Sequence, residues 1–245
     1  VIKPWTPVTL KGKTLGVWGR DMTLGAAGLP EQITTKGRNL FAEPGRLVAT
    51  GADGKRIAAT GVLTKTLFDK DYRKTIQVKS KLGDLDVTSD VQVEFDGLYK
   101  VTMTLDPKKA ITVDKLQVVL PLDEAMADYI HASAALIRAG FYYGPMPEGD
   151  GRIWDCISLG DATMTKGSFI PYIWLGSPAG GLAWFADSDE GWVPSDTTPA
   201  MEIQRNKAGQ VELVLNIIGE TFTLDKPRTL TFGLQASPVK EMHDR

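Results

Sequence analysis

The sequence predicts an all-β protein, a large two-sheet antiparallel β-sandwich with one or two short helices. Three observations lead there. Apolar residues recur at every second position through long stretches of the chain, the period of a half-buried strand. Short segments rich in turn-forming residues separate these runs, so sequence neighbours should pair antiparallel. Strands do not alternate with amphipathic helices of about 10 to 15 residues, which disfavours a parallel α/β sheet.

The elements follow in order. Arg46 to Thr50 and Lys55 to Ala59 flank Gly51-Ala52-Asp53-Gly54 and read as a hairpin, and Ile76 to Val78 adds a strand. Val91 to Phe95 and Leu98 to Leu105 alternate cleanly around Asp96-Gly97, a pair suited to the positive φ angles of a two-residue turn. Asp106-Pro107 closes that second strand, because proline cannot donate into a ladder. Lys115 to Leu120 reads as a strand. Pro121 to Ile130 then offers an acidic first turn and good helix formers, with Gly140 as a stop if a helix continues through Ala134 and Ile137. Tyr142 to Gly151, with its glycines, prolines and acids, reads as a long loop. Phe169 to Leu175 is a strand. Met201 to Arg205 pairs with Val211 to Ile218 across Asn206 to Gly209, and Thr221 to Leu224 with Thr229 to Leu234 across Asp225 to Arg228.

Composition bounds the function. The 245 residues are 42% apolar and 24% charged, enough for a full core. A formal net charge of −2 leaves no electrostatic footprint for nucleic acid. No stretch reaches the ~18 apolar residues of a membrane helix, so no membrane span is expected. One cysteine makes neither an internal disulfide nor a thiolate zinc site. The chain opens at Val1 with no basic or apolar leader, as a processed or excised segment would. At the other end Ser237-Pro238-Val239-Lys240 follows the last strand, so residues 1–240 read as one sandwich module and 241–245 as its exit segment.

Catalytic signatures are sparse. His131 and His243 are the only histidines, no Gly-x-Ser-x-Gly elbow accompanies them, and His131 reads as a partly buried structural residue. Cys156, inside Ile153-Trp154-Asp155-Cys156-Ile157, reads as a small buried hydrophobe. Phosphate-binding glycine patterns are missing, and no cofactor is expected. Asp187-Ser188-Asp189-Glu190-Gly191 clusters carboxylates, but its glycine falls one position early for a helical calcium loop and no Glu closes it at Thr198, so no metal is expected.

The aromatic distribution says more. Four of the six tryptophans fall between Trp154 and Trp192, beside carboxylates and glycine-rich turns. Such neighbourhoods suit sugars, whose C–H faces stack on rings while hydroxyls bond carboxylates. The candidate carbohydrate-binding residues are therefore Trp174, Trp184, Asp187, Asp189 and Trp192. Each ring taken singly reads first as core, with Trp184 able to pair with Tyr172 and Trp174 across the turn at Ser177 to Gly180. Trp192, between Gly191 and Pro194, is the ring expected to be exposed.

Phe169-Ile170-Pro171-Tyr172-Ile173-Trp174-Leu175-Gly176, Gly181-Leu182-Ala183-Trp184-Phe185-Ala186-Asp187-Ser188-Asp189-Glu190-Gly191-Trp192 and Leu230 to Lys240 resemble the N-terminal β-sandwich domain of glycoside hydrolase family 123-like proteins. The passages Gly28 to Ile33 and Gly37 to Pro44 are similar to that family's opening. The resemblance implies a sandwich that precedes a C-terminal (β/α) barrel, where the acidic catalytic pair acting on N-acetylated sugars resides. No family catalytic residue carries over to this chain, and Asp187 stands where the family often has Glu. An extracellular or periplasmic protein is expected.

Three readings compete. The leading one is a non-catalytic carbohydrate-associated module that contributes sugar contacts or docks to the catalytic barrel. The second is a self-contained enzyme with paired carboxylates on a concave sheet, drawing on Arg20, Asp155, Asp187 and Glu220, with His131 as a base. The third is a purely structural or assembly domain.

Overall fold

The computed structural model describes residues 1–133, 141–157 and 168–239. Its strands are β1 Thr9–Lys11, β2 Thr14–Val17, β3 Arg20–Leu24, β4 Pro30–Thr35, β5 Arg38–Asn39, β6 Arg46–Thr50, β7 Arg56–Ala58 and β8 Thr60–Lys70. There follow β9 Arg73–Leu82, β10 Leu85–Glu94, β11 Leu98–Pro107, β12 Ile111–Val113, β13 Lys115–Leu122, β14 Tyr129–Ser133 and β15 Phe141–Pro145. The remainder are β16 Gly151–Asp155, β17 Tyr172–Ser177, β18 Gly180–Phe185, β19 Met201–Arg205, β20 Val211–Ile218, β21 Phe222–Leu224 and β22 Arg228–Ser237. The fold is all-β and antiparallel, as the period-two pattern requires.

A nine-stranded sheet in the order β15-β14-β17-β18-β22-β11-β10-β9-β8 faces a six-stranded sheet, β16-β19-β20-β13-β6-β7. Alternate residues of the large sheet, such as Val91, Val101, Phe232, Trp184 and Ile173, are buried, and so are Leu116, Val118, Leu213 and Leu215 of the small one. They form one continuous apolar cluster. A five-stranded sheet of β1 to β5 in chain order leans on the same core through Leu15, Met22, Leu24 and Ile33. Burial of this kind contributes roughly 25 cal/mol per Å² of apolar surface and drives the fold.

The single turn Ala26–Gly28 is pushed into that core, where its backbone polar groups need partners. Hydroxyls supply them. The Ala27 amide donates to Ser80 Oγ at 2.8 Å, while Ser89 Oγ donates to the Ala27 carbonyl at 2.6 Å and the Tyr99 hydroxyl to the Gly28 carbonyl at 2.8 Å. Complete burial pushes the Tyr99 phenol well above its ordinary pKa. Arg20, also buried, donates to the carbonyls of Ala236 and Val239 at 3.3 and 3.0 Å and so ties β3 to the end of β22 and the chain just after it.

Four local expectations change. Pro121 to Ile130 is not a helix of several turns; β13 runs to Leu122, one 3-10 turn spans Glu124–Met126, and β14 begins at Tyr129. The Asp123 side chain caps that turn by accepting from the Ala125 amide. Pairing of Pro121 and Leu122 with β20, and of Tyr129 and Ile130 with β15 and β17, outweighs the helix propensity of this segment. The continuation through Ala134 and Ile137 to Gly140 lies outside the described residues. Tyr142 to Gly151 begins not as loop but as β15, paired with β14 from Tyr129↔Pro145 onwards. The turn at Asp96-Gly97 is longer than two residues: Val93↔Tyr99 is the last pair, and only Gly97 has positive φ. Finally, β21 and β22 do not pair with each other. β22 already lies between β11 and β18, so β21 pairs with β12 instead.

Candidate functional site

The outer face of the large sheet carries the exposed aromatic chemistry. Register places Tyr143, His131, Trp174, Ala183 and Gln235 in one row across β15, β14, β17, β18 and β22. The next row holds Tyr172, Phe185, Gly233 and Lys100. Residues directly opposite on an antiparallel pair share a face, so these side chains stand together.

Glycines decide how the rings lie. A Cβ on Gly176 would overlap the Trp174 ring, and one on Gly181 would sit 2.8 Å from Trp174 Cε2. The indole therefore lies down over β17 and β18 instead of standing upright. Its Nε1 reaches across to β22 and donates to Ser237 Oγ at 3.1 Å, which fixes its orientation. Phe185 lies over Gly233 in the same manner. Both rings are half-buried, one face set on glycine backbone. Beside Phe185 is a depression of about 180 Å³ lined by Leu98, Lys100, Ala186, Asp187, Thr231 and Gly233. Asp187 also borders a second one with Ser188, Glu190, Thr229 and Thr231. Tyr172 packs edge-on against His131, ring centroids 5.7 Å apart, and burial raises its phenol pKa.

The five sequence candidates separate. Trp174 and Asp187 lie on this face, and Asp189 is exposed on the loop that follows but lines neither depression. Trp184 is opposite Ile173, on the inner face, and is fully buried. Trp192, expected to be exposed, is 4% exposed. Gly191 at φ +86° turns the chain inward there, and the Trp192 ring packs against Phe169 and Trp184 at 5.3 and 5.9 Å. Neither buried indole offers a stacking face to a ligand. Arg228 holds the loop by donating to the carbonyls of Gly191 and Trp192. Phe185 and Lys100 escaped the sequence reading, though the Gly-x-x-x-Phe spacing and the strand at Leu98 to Leu105 held the alternation that places them. Tyr172 and Trp174, expected as partners of Trp184, share a face with each other but not with it, because Trp184 stands opposite Ile173.

The residues of the enzymatic reading are dispersed. Asp155 is on the small sheet, His131 and Asp187 on the outer face of the large one, and Glu220 follows β20. Asp155 does face a second carboxylate, Glu202, across β16 and β19. Both are buried and occupied: Arg152 bridges them at 3.3 and 3.6 Å, Asp155 accepts from the Ile157 amide, and Glu202 accepts from Gln204. Glu220 accepts from the hydroxyls of Ser195, Thr197 and Thr198, bonds that hold its carboxyl below the usual range. Among the described residues no group of three or more His, Cys, Asp or Glu could hold a metal, and no helix is long and apolar enough to cross a membrane. Cys156 is fully buried, and burial pushes its thiol up to about 11. We expect no reaction with a thiol reagent at pH 8 in the native state and full reaction after denaturation; rapid native labelling would contradict this packing.

The described residues thus define a large antiparallel β-sandwich with an aromatic shelf on the outer face of its larger sheet, an architecture that does not by itself fix a function. The chain belongs to the family described as glycoside hydrolase 123, third domain, whose model matches residues 8–142. No curated protein matches the sequence. Among solved structures, an α-mannosidase from Enterococcus faecalis V583 superposes with a TM-score of 0.56 at 10% identity, covering 94% of this chain. The chain spans only 30% of the mannosidase's length, and the likeness shows the fold alone. A GalM/aldose epimerase homologue from C. elegans aligns over 95% of this chain and 98% of its own, with a TM-score of 0.49 at 9% identity.

Proposed function

We propose that this domain is a non-catalytic carbohydrate-contacting module of a glycoside hydrolase, working as one unit beside a catalytic barrel. The single observation that carries the reading is the posture of Trp174, laid over two glycines and pinned by Ser237. A ring so placed offers its other face as a platform for the apolar face of a sugar ring. Phe185 extends the platform, and Asp187 and Lys100 stand beside it as hydroxyl partners. Membership in the glycoside hydrolase 123 family supports the choice of carbohydrate over other ligands.

Calorimetric titration of the 245-residue chain with mono- and oligosaccharides, N-acetylated ones included, tests the proposal. Saturable binding is expected without product release, and Trp174→Ala should weaken it by about tenfold or more, a loss of ~1.4 kcal/mol. Trp174→Phe should retain part of it. Undiminished binding by Trp174→Ala would remove this site from consideration, and sugar products in the same vessel would favour a self-contained enzyme.

A further inference from the structure

The aromatic face is larger than one sugar needs. Tyr143, His131 and Trp174 occupy consecutive strands of one row, and Tyr143 is 79% exposed. Tyr129, opposite Gly176 in the neighbouring row, is also exposed. Strands lie ~4.8 Å apart, so Tyr143 on β15 and Trp174 on β17 are separated by roughly 9.6 Å across the sheet, about the length of a disaccharide unit. On the other side of Trp174 the shelf continues over Gly181 and Ala183 to Phe185 and the depression at Lys100 and Asp187. The path from Tyr143 to Lys100 thus crosses β15, β14, β17, β18, β22 and β11. It steps from the first row to the next between Trp174 and Phe185 and so crosses the strands obliquely, along a line of rings with polar groups at its far end.

Among the described residues nothing along this path closes over a ligand. An open shelf meets a sugar on one face only, and the contact area from a single pyranose must offset the loss of translational and rotational freedom on binding. Each further sugar on the same shelf adds contact area, while that cost is met once for the whole molecule. A small monosaccharide pocket would instead show convergent walls and polar groups on several sides.

We infer that this face binds a linear glycan of several residues laid across the adjacent strands β15, β14, β17 and β18, with Tyr143 and Trp174 as separate stacking positions about two sugars apart. The inference rests on the carbohydrate reading above and adds the length and direction of the ligand.

The test is calorimetric titration of the full chain with oligomer ladders of N-acetylglucosamine, mannose and galactose, from one to six units. Affinity for at least one ladder should rise by about tenfold or more between the monomer and the tetramer. Tyr143→Ala should reduce that gain to less than about threefold, and Trp174→Ala should weaken every member of the ladder. Tyr72→Ala, an exposed ring on the far side of the sheet at the β8–β9 turn, should change nothing. Trp174-dependent binding with equal affinity along the ladder overturns the inference and leaves the carbohydrate module standing. A length dependence that survives Tyr143→Ala overturns the path across β15. Absence of saturable binding to all three ladders overturns both readings, and the aromatic face then becomes an interdomain contact.

Discussion

Trp184→Ala is expected to cost roughly 3 to 5 kcal/mol of folding stability, the range for truncating a large buried aromatic. Trp184 has no exposure, and its ring packs against Phe169, Trp192 and Phe232 at centroid distances of 6.0, 5.9 and 6.4 Å. Removal leaves a cavity bounded by sheet backbone, which relaxes poorly. For a chain of this size the loss corresponds to a fall in Tm of roughly 6 to 20 °C. Trp184→Phe should be much milder. It keeps an aromatic ring in the cluster and deletes an indole N–H that has no hydrogen-bond partner among the described residues. Differential scanning calorimetry on both variants decides the matter. If Trp184→Ala lowered Tm no more than Trp174→Ala does, the assignment of Trp184 to the interior would be wrong.

The second large effect concerns Gly191→Ala. A Cβ there would overlap the Thr229 carbonyl oxygen on β22, and the residue adopts φ +86°. Steric overlap with backbone and left-handed strain act together, for roughly 2 to 6 kcal/mol. Gly209→Ala is the matched control. Its φ is +83°, yet nothing lies within 4 Å of its Cβ position, so it should carry only the backbone term of ~1 to 2 kcal/mol. Urea unfolding separates them, and equal midpoints would show that the Gly191 contact is absent. The consequence reaches the site. The loop from Asp187 to Trp192 is seated on β22 by this close approach and by Arg228, so loosening it displaces Asp187 from the depression beside Phe185.

Much of the architecture was legible in alternation. Val91, Val93, Tyr99, Val101, Met103 and Leu105 all point inward, as their spacing demands, and the hairpins at Gly51 to Gly54 and Asn206 to Gly209 pair as their turn residues suggest. The failures share a cause. Pro121 to Ile130 looks helical because its local propensities are helical, and the strands that pair with its two ends, β20 and β17, come from remote parts of the chain. β21 looked like the partner of β22 because the intervening turn is short, whereas β22 was already claimed on both edges by β11 and β18.

The site divides in the same way. Clustering of tryptophans, glycines and carboxylates between Trp154 and Trp192 marks the segment that carries Trp174, Phe185 and Asp187. It could not tell Trp174 from Trp184, since both sit on alternating strands joined by a turn. Their register puts Trp174 opposite Ala183 and Trp184 opposite Ile173, on opposite faces of one sheet. By itself, then, the sequence determined the period of the strands, most of the turns and the concentration of sugar-compatible residues, because these depend on neighbours in the chain. Only the tertiary structure decided which face of each strand meets the core, that Trp192 is interior, and that Tyr143, Trp174, Phe185 and Lys100 lie along one face of the large sheet. Those outcomes depend on strand order and register, which are set by long-range burial and not by local spacing.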